Sequence, residues 1–582
     1  MKHVYRLCIS AIFVLLACSN IFAQSSHELF LPAPTTTTYL NQIIYGDTTA
    51  TGKRKDTARV YVLERGGIWF YNGPINNLGW DLNIRAAEGT GKLPIIYGVV
   101  AAGGKSVPNI FIQAGSNVSV KNLLIDTYLD IDPDYYKNYG YANETIAITT
   151  AGNYNITVDG CVFVNGGSAT LRIDAAIRSV IVTNSVFANN GQPPKLSTGN
   201  GRVIDMRGSS IDTCLMVNNT MINTCDRIVR RLASTTRMNN FIFEHNTILN
   251  NGGRYGVISL SLVGNKVQIS NNLFVDPMSY GADSSLKRQN DWIEAGESYN
   301  MNANNVANYP IGSIGDAGRV NMAWIYSQKE ATPYATKWNV KNNYYYITPE
   351  LEAAWAKVRA LNNNTGNPTL NAGSPLTNFI SSQLADPTKA FIKSAVTFKN
   401  APKDMSAQAY WCLSPGPTGC GENSSGGTAF ADFDKHTGVY YRDTLDCSYA
   451  TTLAAYTGGV DGYPVGDLNW FPAKKTAWQT AGGWATGVAA ESMTPREFSL
   501  GQNYPNPFNP STQISFTLKA SGMTTLKVYN VIGQEVASLV NGIETAGQHE
   551  VSFDASRLSS GVYFYTLRSG NFIETKKMML MK

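Results

Sequence analysis

"EHNTILNN", residues 244–251, sets a three-residue run with strand preference between asparagine-type turn formers on both sides. The fragment recurs along the chain. Upstream stand "VKNLLID" (120–126), "VDGCVFVN" (158–165), "VTNSVFAN" (182–189) and "VNNTMIN" (217–223); downstream stand "SNNLFVD" (270–276) and "KNNYYYI" (341–347). Aligned on the turn residue, the positions are Asn122, Gly160, Asn184, Asn219, Asn246, Asn272 and Asn343, at intervals of 38, 24, 35, 27, 26 and 71 residues. An apolar pair follows each, such as Val162/Phe163, Val186/Phe187 and Ile248/Leu249.

A period in the mid-twenties, punctuated by turns, belongs to a solenoid. No 3.6-residue periodicity fills the gaps, which excludes helical repeats. A coil of three short strands and their turns needs roughly 22–25 residues, and longer intervals are coils with a loop inserted. Asn or Gly suits each corner because both tolerate a left-handed backbone, and stacked asparagines can bond from coil to coil. The repeat resembles the pectate-lyase-like right-handed parallel β-helix proteins over residues 55–350. That resemblance implies a fold, not a chemistry.

Composition bounds the rest. The 582 residues allow two to four domains; charged residues make up 15%, against 52 glycines and 31 tyrosines. "MKHVYRLCISAIFVLLACSNIFAQ" carries Lys2 and Arg6 ahead of an apolar run at 7–17, which reads as a signal peptide cleaved after Ala23 and is too short for a membrane span. "LLAC" (15–18) also fits a lipoprotein signal lipidated at Cys18. Loss of two basic residues takes the net charge from +5 to +3, too little to draw nucleic acid, and no later stretch reads as transmembrane. Of the six remaining cysteines, Cys161 reads as a small core residue. Cys412 and Cys420 flank a Pro/Gly loop where a local disulfide fits.

The expected layout is a lead-in at 24–55, coils at 55–350, an irregular closing region at 362–485 and a linker at 486–497, with 498–582 a separate sandwich. Residues 349–361, "PELEAAWAKVRAL", read as a helix with Pro in its first turn. "DGYPVGDLNWFP" (461–472) resembles a closing segment of β-helix proteins. After 498, alternating strands at 514–518, 526–529, 535–540, 549–554, 561–567 and from 572 onward give a small Ig-like β-sandwich. The motifs "NYPNPFNP", "LKVYNVIGQEV", "SSGVYFYTLRSG" and "ETKKMMLMK" resemble the C-terminal sorting domain of type IX secretion cargo. That resemblance implies handling by the type IX machinery and release or attachment at the cell surface.

Enzymes of the β-helix kind act mostly on acidic polysaccharides. The hydrolases among them carry an adjacent Asp pair, and this chain has no Asp-Asp dipeptide and five His, which disfavours hydrolysis. A lyase needs a Lys or Arg base and a cation, commonly Ca²⁺, to neutralise the uronate carboxylate. Basic residues cluster in "ATLRIDAA" (169–176), "GRVIDMRGS" (201–209) and "DRIVRRLAS" (226–234). Alternation puts Leu171, Ile173, Ile204 and Met206 inside and Arg172, Asp174, Asp205 and Arg207 outside, with Arg230 or Arg231 extending the outer row. Arg172, Arg207 and Arg230 are the candidate catalytic residues, and Asp174, Asp205 and Arg231 the candidate substrate contacts. The alternative is a solvated face of cross-strand ion pairs. Asp126, Asp130, Asp132 and Asp134 offer hard oxygen ligands for Ca²⁺, although the glycine and terminal glutamate of an EF-hand are missing. Glu244 and His245 read as outward residues at a turn. The functional expectation is a secreted carbohydrate-interacting protein, a polysaccharide lyase on acidic glycans, with a non-catalytic glycan-binding, adhesin-like or structural surface protein as the alternative.

Overall fold

A computed structural model describes residues 27–99, 108–127, 144–191, 201–281, 323–327, 334–361, 371–402, 406, 409–410, 444–483 and 499–582, with short breaks at 36–37, 109, 208–209, 233–235, 254–255, 504, 519–521, 545–546 and 571. The chain forms two compact units, Met1–Ala477 and Trp478–Lys582.

In the first unit, one coil shows the construction. Strand Ala169–Ile173 leads to Ile177–Thr183, then after two residues to Val186–Ala188, and the chain returns one coil on at Arg202–Met206. Repetition builds three all-parallel sheets. Among the described residues, the first, containing Ile177–Thr183, has ten strands; the second, containing Val186–Ala188, has ten; the third, containing Ala169–Ile173, has nine. This is a parallel β-helix. The coils extend beyond the expected limits at both ends. Glu28–Leu31, in the expected lead-in, pairs with Val60–Leu63, while Ser374–Leu376 and Phe391–Lys393, in the expected irregular region, continue the third and second sheets.

The interior is built of columns, because register stacks like on like. Ile112, Ile146, Leu171, Ile204, Val229, Ile258 and Ile325 form one in the third sheet, and Ile125, Phe163, Phe187, Met221, Ile248 and Phe274 one in the second. All of them are buried. Each contributes about 1.5–3 kcal/mol by leaving water. The Phe163 and Phe187 rings stack at 5.1 Å and 3°. Helix Leu40–Gly46 adds Leu40 and Ile44 to this core, and helix Pro349–Leu361, with the bounds read from sequence, adds Leu351, Trp355 and Val358.

The asparagines work in two ways. Left-handed backbone runs through Asn122, Gly160, Asn184, Asn218, His245, Asn271 and Asn342 at one corner, and through Asn165, Asn189, Asn223, Asn250 and Asp276 at the other end of the second sheet. "EHNTILNN" is therefore one three-residue strand, Thr247–Leu249, held between two left-handed corners at His245 and Asn250. The alignment on Asn184, Asn219, Asn246 and Asn272 slips by one residue after Asn184. Asn219, Asn246, Asn272 and Asn343 stand in the next column, which Cys161 and Ser185 occupy in earlier coils. There they form a buried ladder: Asn219 Nδ2 donates to Asn246 Oδ1 at 2.9 Å, Asn246 Nδ2 to Asn272 Oδ1 at 3.1 Å, and Asn272 Nδ2 to Asn343 Oδ1 at 2.8 Å. The Cys161 thiol is buried, as expected, and burial pushes it up to about 12, so it stays protonated and inert. Cys412 and Cys420 lie outside the described residues, as does the leader at 1–23.

Residues 446–471 lie over the outer face of the second sheet. Strand Asp446–Tyr449 pairs antiparallel with Phe398–Asn400. Cys447, Tyr449, Ala455 and Val465 bury Leu249, Leu273 and Val275.

The second unit is an antiparallel sandwich of a three-stranded sheet (Ser499–Leu500, Ser511–Leu518, Gly547–Asp554) and a four-stranded one (Glu535–Glu544, Gly522–Tyr529, Gly561–Ser569, Phe572–Leu580). Both sheets supply its core, including Ile514, Phe516, Leu526, Val528, Tyr565 and Leu567.

Candidate functional site

The outer row of the third sheet differs from the expected one. Register places Arg172, Asp205, Arg230 and Ser259 in one column. Charge therefore alternates along it, and Arg207, two residues beyond Asp205, stands outside it beside Asp174. Three arginines in a single file would repel at the roughly 4.8 Å strand spacing, and Asp205 in the middle removes that cost.

Asp205 is the hub. Its side chain is wholly buried, and its Oδ2 accepts from three guanidiniums: Arg230 Nη2 at 2.9 Å, Arg207 Nε at 3.1 Å and Arg202 Nη1 at 3.4 Å. Oδ1 accepts from Arg230 Nε at 2.7 Å, which completes a bidentate pair. A second carboxylate, Asp226, accepts from Arg202 Nε at 2.8 Å and from Arg227 Nε at 3.3 Å. Burial would raise both acids, but the surrounding arginines outweigh it and hold them below the usual carboxylate range. Burial brings Arg202 down to about 10 against the pull of Asp226, so it remains a cation at neutral pH. Three guanidiniums, those of Arg202, Arg207 and Arg230, thus share the one carboxylate of Asp205, and Arg202 also reaches Asp226.

One coil earlier, Arg172 bridges Glu144 (Nη1 to Oε1, 3.0 Å) and Asp174 (Nε to Oδ2, 2.8 Å). The most open cation is Arg207, whose side chain is 35% exposed. Its Nε is tied to Asp205, and both Nη groups have no partner among the described residues.

Arg231 does not join the row. Its register partner is the inward Met206, and its buried guanidinium donates to Leu262 O at 2.6 Å and Thr236 O at 2.8 Å, bracing the backbone rather than facing a ligand. Asp126 ends the strand Leu124–Asp126, buried, and accepts from Asn165 Nδ2 at 3.1 Å. Asp130, Asp132 and Asp134 lie outside the described residues. Among the described residues no three His, Cys, Asp or Glu side chains stand together as metal ligands. Glu244 and His245 are covered rather than outward. Glu244 accepts from Gln268, Ser270 and Asn271, while His245 is wholly buried against Gly466 O at 3.3 Å.

Arg202 and Asp226 belong to the hub and Glu144 to the Arg172 pair, and none of the three was singled out from sequence. Arg202 and Asp226 head two of the clustered basic segments, where strand alternation says little about direction; only their charge could have marked them.

Comparison with known families places the other end of the chain. Residues 502–581 match the secretion system C-terminal sorting domain. The antiparallel sandwich is that domain, and the protein is exported to the cell surface or beyond it by the type IX secretion machinery. Among the described residues no helix is long and apolar enough to cross a membrane. A comparison with curated proteins found no match.

Proposed function

We propose that the exported β-helix is a glycan-binding protein that takes acidic polysaccharide along the outer face of its third sheet. The observation that carries this reading is the convergence of Arg202, Arg207 and Arg230 on the single carboxylate of Asp205, with the Arg207 fork open to solvent. Asp205 engages only the Nε of Arg207, which leaves the terminal nitrogens of that exposed fork for an anion from outside. A polyanion supplies such groups in series, and guanidinium forks grip oxyanions in two places at once. Regular spacing from coil to coil suits a repeating polymer better than a small molecule. Sugars are the natural polymer outside the cell.

Binding stands before cleavage in this reading. A lyase would ask one arginine to take up a proton, and the one that burial lowers, Arg202, is tied to two carboxylates that favour its charged form. Ca²⁺ would serve cleavage rather than binding. The test is retention of the mature protein on immobilised polyuronates at low salt, with and without Ca²⁺, followed also at the absorbance of unsaturated uronate. Retention that weakens with salt, without new absorbance, is the expected result. No retention on any acidic glycan overturns the proposal, and rising absorbance would make the protein a lyase.

A further inference from the structure

The hub selects the kind of anion. Three guanidiniums converge on the single atom Oδ2 of Asp205, two from the strand and end of one coil (Arg202, Arg207) and one from the next coil (Arg230). Arg202 uses Nε and Nη1, Arg230 uses Nε and Nη2, and Arg207 uses Nε alone. Four terminal nitrogens therefore have no partner among the described residues: both of Arg207, one of Arg202 and one of Arg230. They belong to three separate guanidinium groups gathered around one oxygen.

A planar carboxylate offers two oxygens and matches one fork, as Asp205 already matches Arg230. A half-ester of sulfate or phosphate offers three terminal oxygens in a tetrahedral arrangement, enough to reach donors on different guanidiniums. We infer that the Arg202–Arg207–Arg230 cluster is a recognition site for a tetrahedral oxyanion ester on the glycan, sulfate or phosphate, rather than for a uronate carboxylate. This inference rests on the acidic-glycan reading and narrows it.

The test compares two forms of one polymer with equal charge per disaccharide: chondroitin sulfate whose carboxyls have been reduced, and chondroitin from which the sulfate has been removed. The mature full-length protein should bind the sulfate-bearing form about 10-fold or more tightly over the carboxylate-bearing one, as fits hydrogen bonds to charged groups. Arg207→Gln should remove that preference, and Arg207→Lys should restore only part of it, because an ammonium lacks the planar fork. Unshifted melting of both variants shows that the fold is intact. Dextran sulfate and dextran phosphate then distinguish the two esters; binding of either supports the site, and their order names the preferred one. Equal binding of the two chondroitin forms, or a preference for the carboxylate form, overturns the inference while leaving acidic-glycan binding standing. Binding of neither removes both. A sulfate preference that survives in Arg207→Gln also overturns the assignment to this cluster.

Discussion

His245 shows how much one side chain can depend on distant chain. Alternation along a strand would set Glu244 and His245 on opposite sides. The left-handed backbone at His245, φ 51°, breaks the alternation, and residues 464–466 then cover the ring. Its Nε2 lies 3.3 Å from Asn271 Nδ2 and its Nδ1 faces Gly466 O; the backbone bonds to Gly466 and Pro464 favour the charged ring, but burial outweighs them. Burial lowers its pKa to about 3. As pH falls below about 6.5, the unfolded chain takes up a proton that the folded ring refuses, so this contribution to stability is full above 6.5 and is lost towards pH 3. Asp467, raised by burial to about 6, works in the opposite direction: it costs stability as pH rises from the usual carboxylate range through 6. Comparing variants isolates the histidine. His245→Asn keeps a residue suited to the left-handed corner. Between pH 7 and pH 5 it should lose about 2 kcal/mol less stability than the parent in urea titrations. Parallel pH curves for the two proteins would show that the ring takes no part.

At the scale of elements, the asparagine ladder is the clearest target. Asn246 Oδ1 accepts from the Asn219 backbone N–H at 3.1 Å, and its Nδ2 donates to Met216 O at 2.9 Å, all within the core. Asn246→Ala would strand a buried backbone donor and a buried carbonyl, and should cost about 2–5 kcal/mol in chemical denaturation. Asn246→Ser should recover part of this, because Ser185 already does the same work in that column, its Oγ accepting from Cys161 N–H at 3.1 Å. A loss under about 1 kcal/mol for Asn246→Ala would mean that water replaces the ladder. The recurrence that exposed the ladder was visible in sequence because stacked coils need like residues at like positions. Its exact column was not. Asn218–Asn219, Asn271–Asn272 and Asn342–Asn343 are doublets with one member in each of two adjacent columns, and identical letters cannot say which is left-handed. The third sheet divided in the same way. Inside and outside were legible for Leu171, Arg172, Ile204 and Asp205, where alternation holds. The slip of Arg207 out of the row, and the entry of Arg202 and Asp226, depend on register between coils of unequal length.

At the scale of the molecule, the two units carry separate instructions. Removing residues 498–582 should leave a protein that accumulates in the periplasm, detectable by fractionation and immunoblotting; normal appearance of the truncated form at the surface would contradict the sorting role. The segment over the second sheet has a consequence of another kind, in time rather than in space. Asp467 accepts from Thr220 Oγ1 and its backbone N–H donates to Thr247 Oγ1, while Asn469 Nδ2 donates to Asn218 O, across 247, 220 and 251 residues of chain. Stacked coils can otherwise form one after another as the chain arrives, each on the edge of the last. These middle coils cannot be finished that way. Leu249, Leu273 and Val275 remain bare until residues near 447–465 appear, so a chain threaded amino end first carries an uncovered apolar stripe through much of its passage. Whatever receives it must shield that stripe until the last stretch before the sorting domain has arrived.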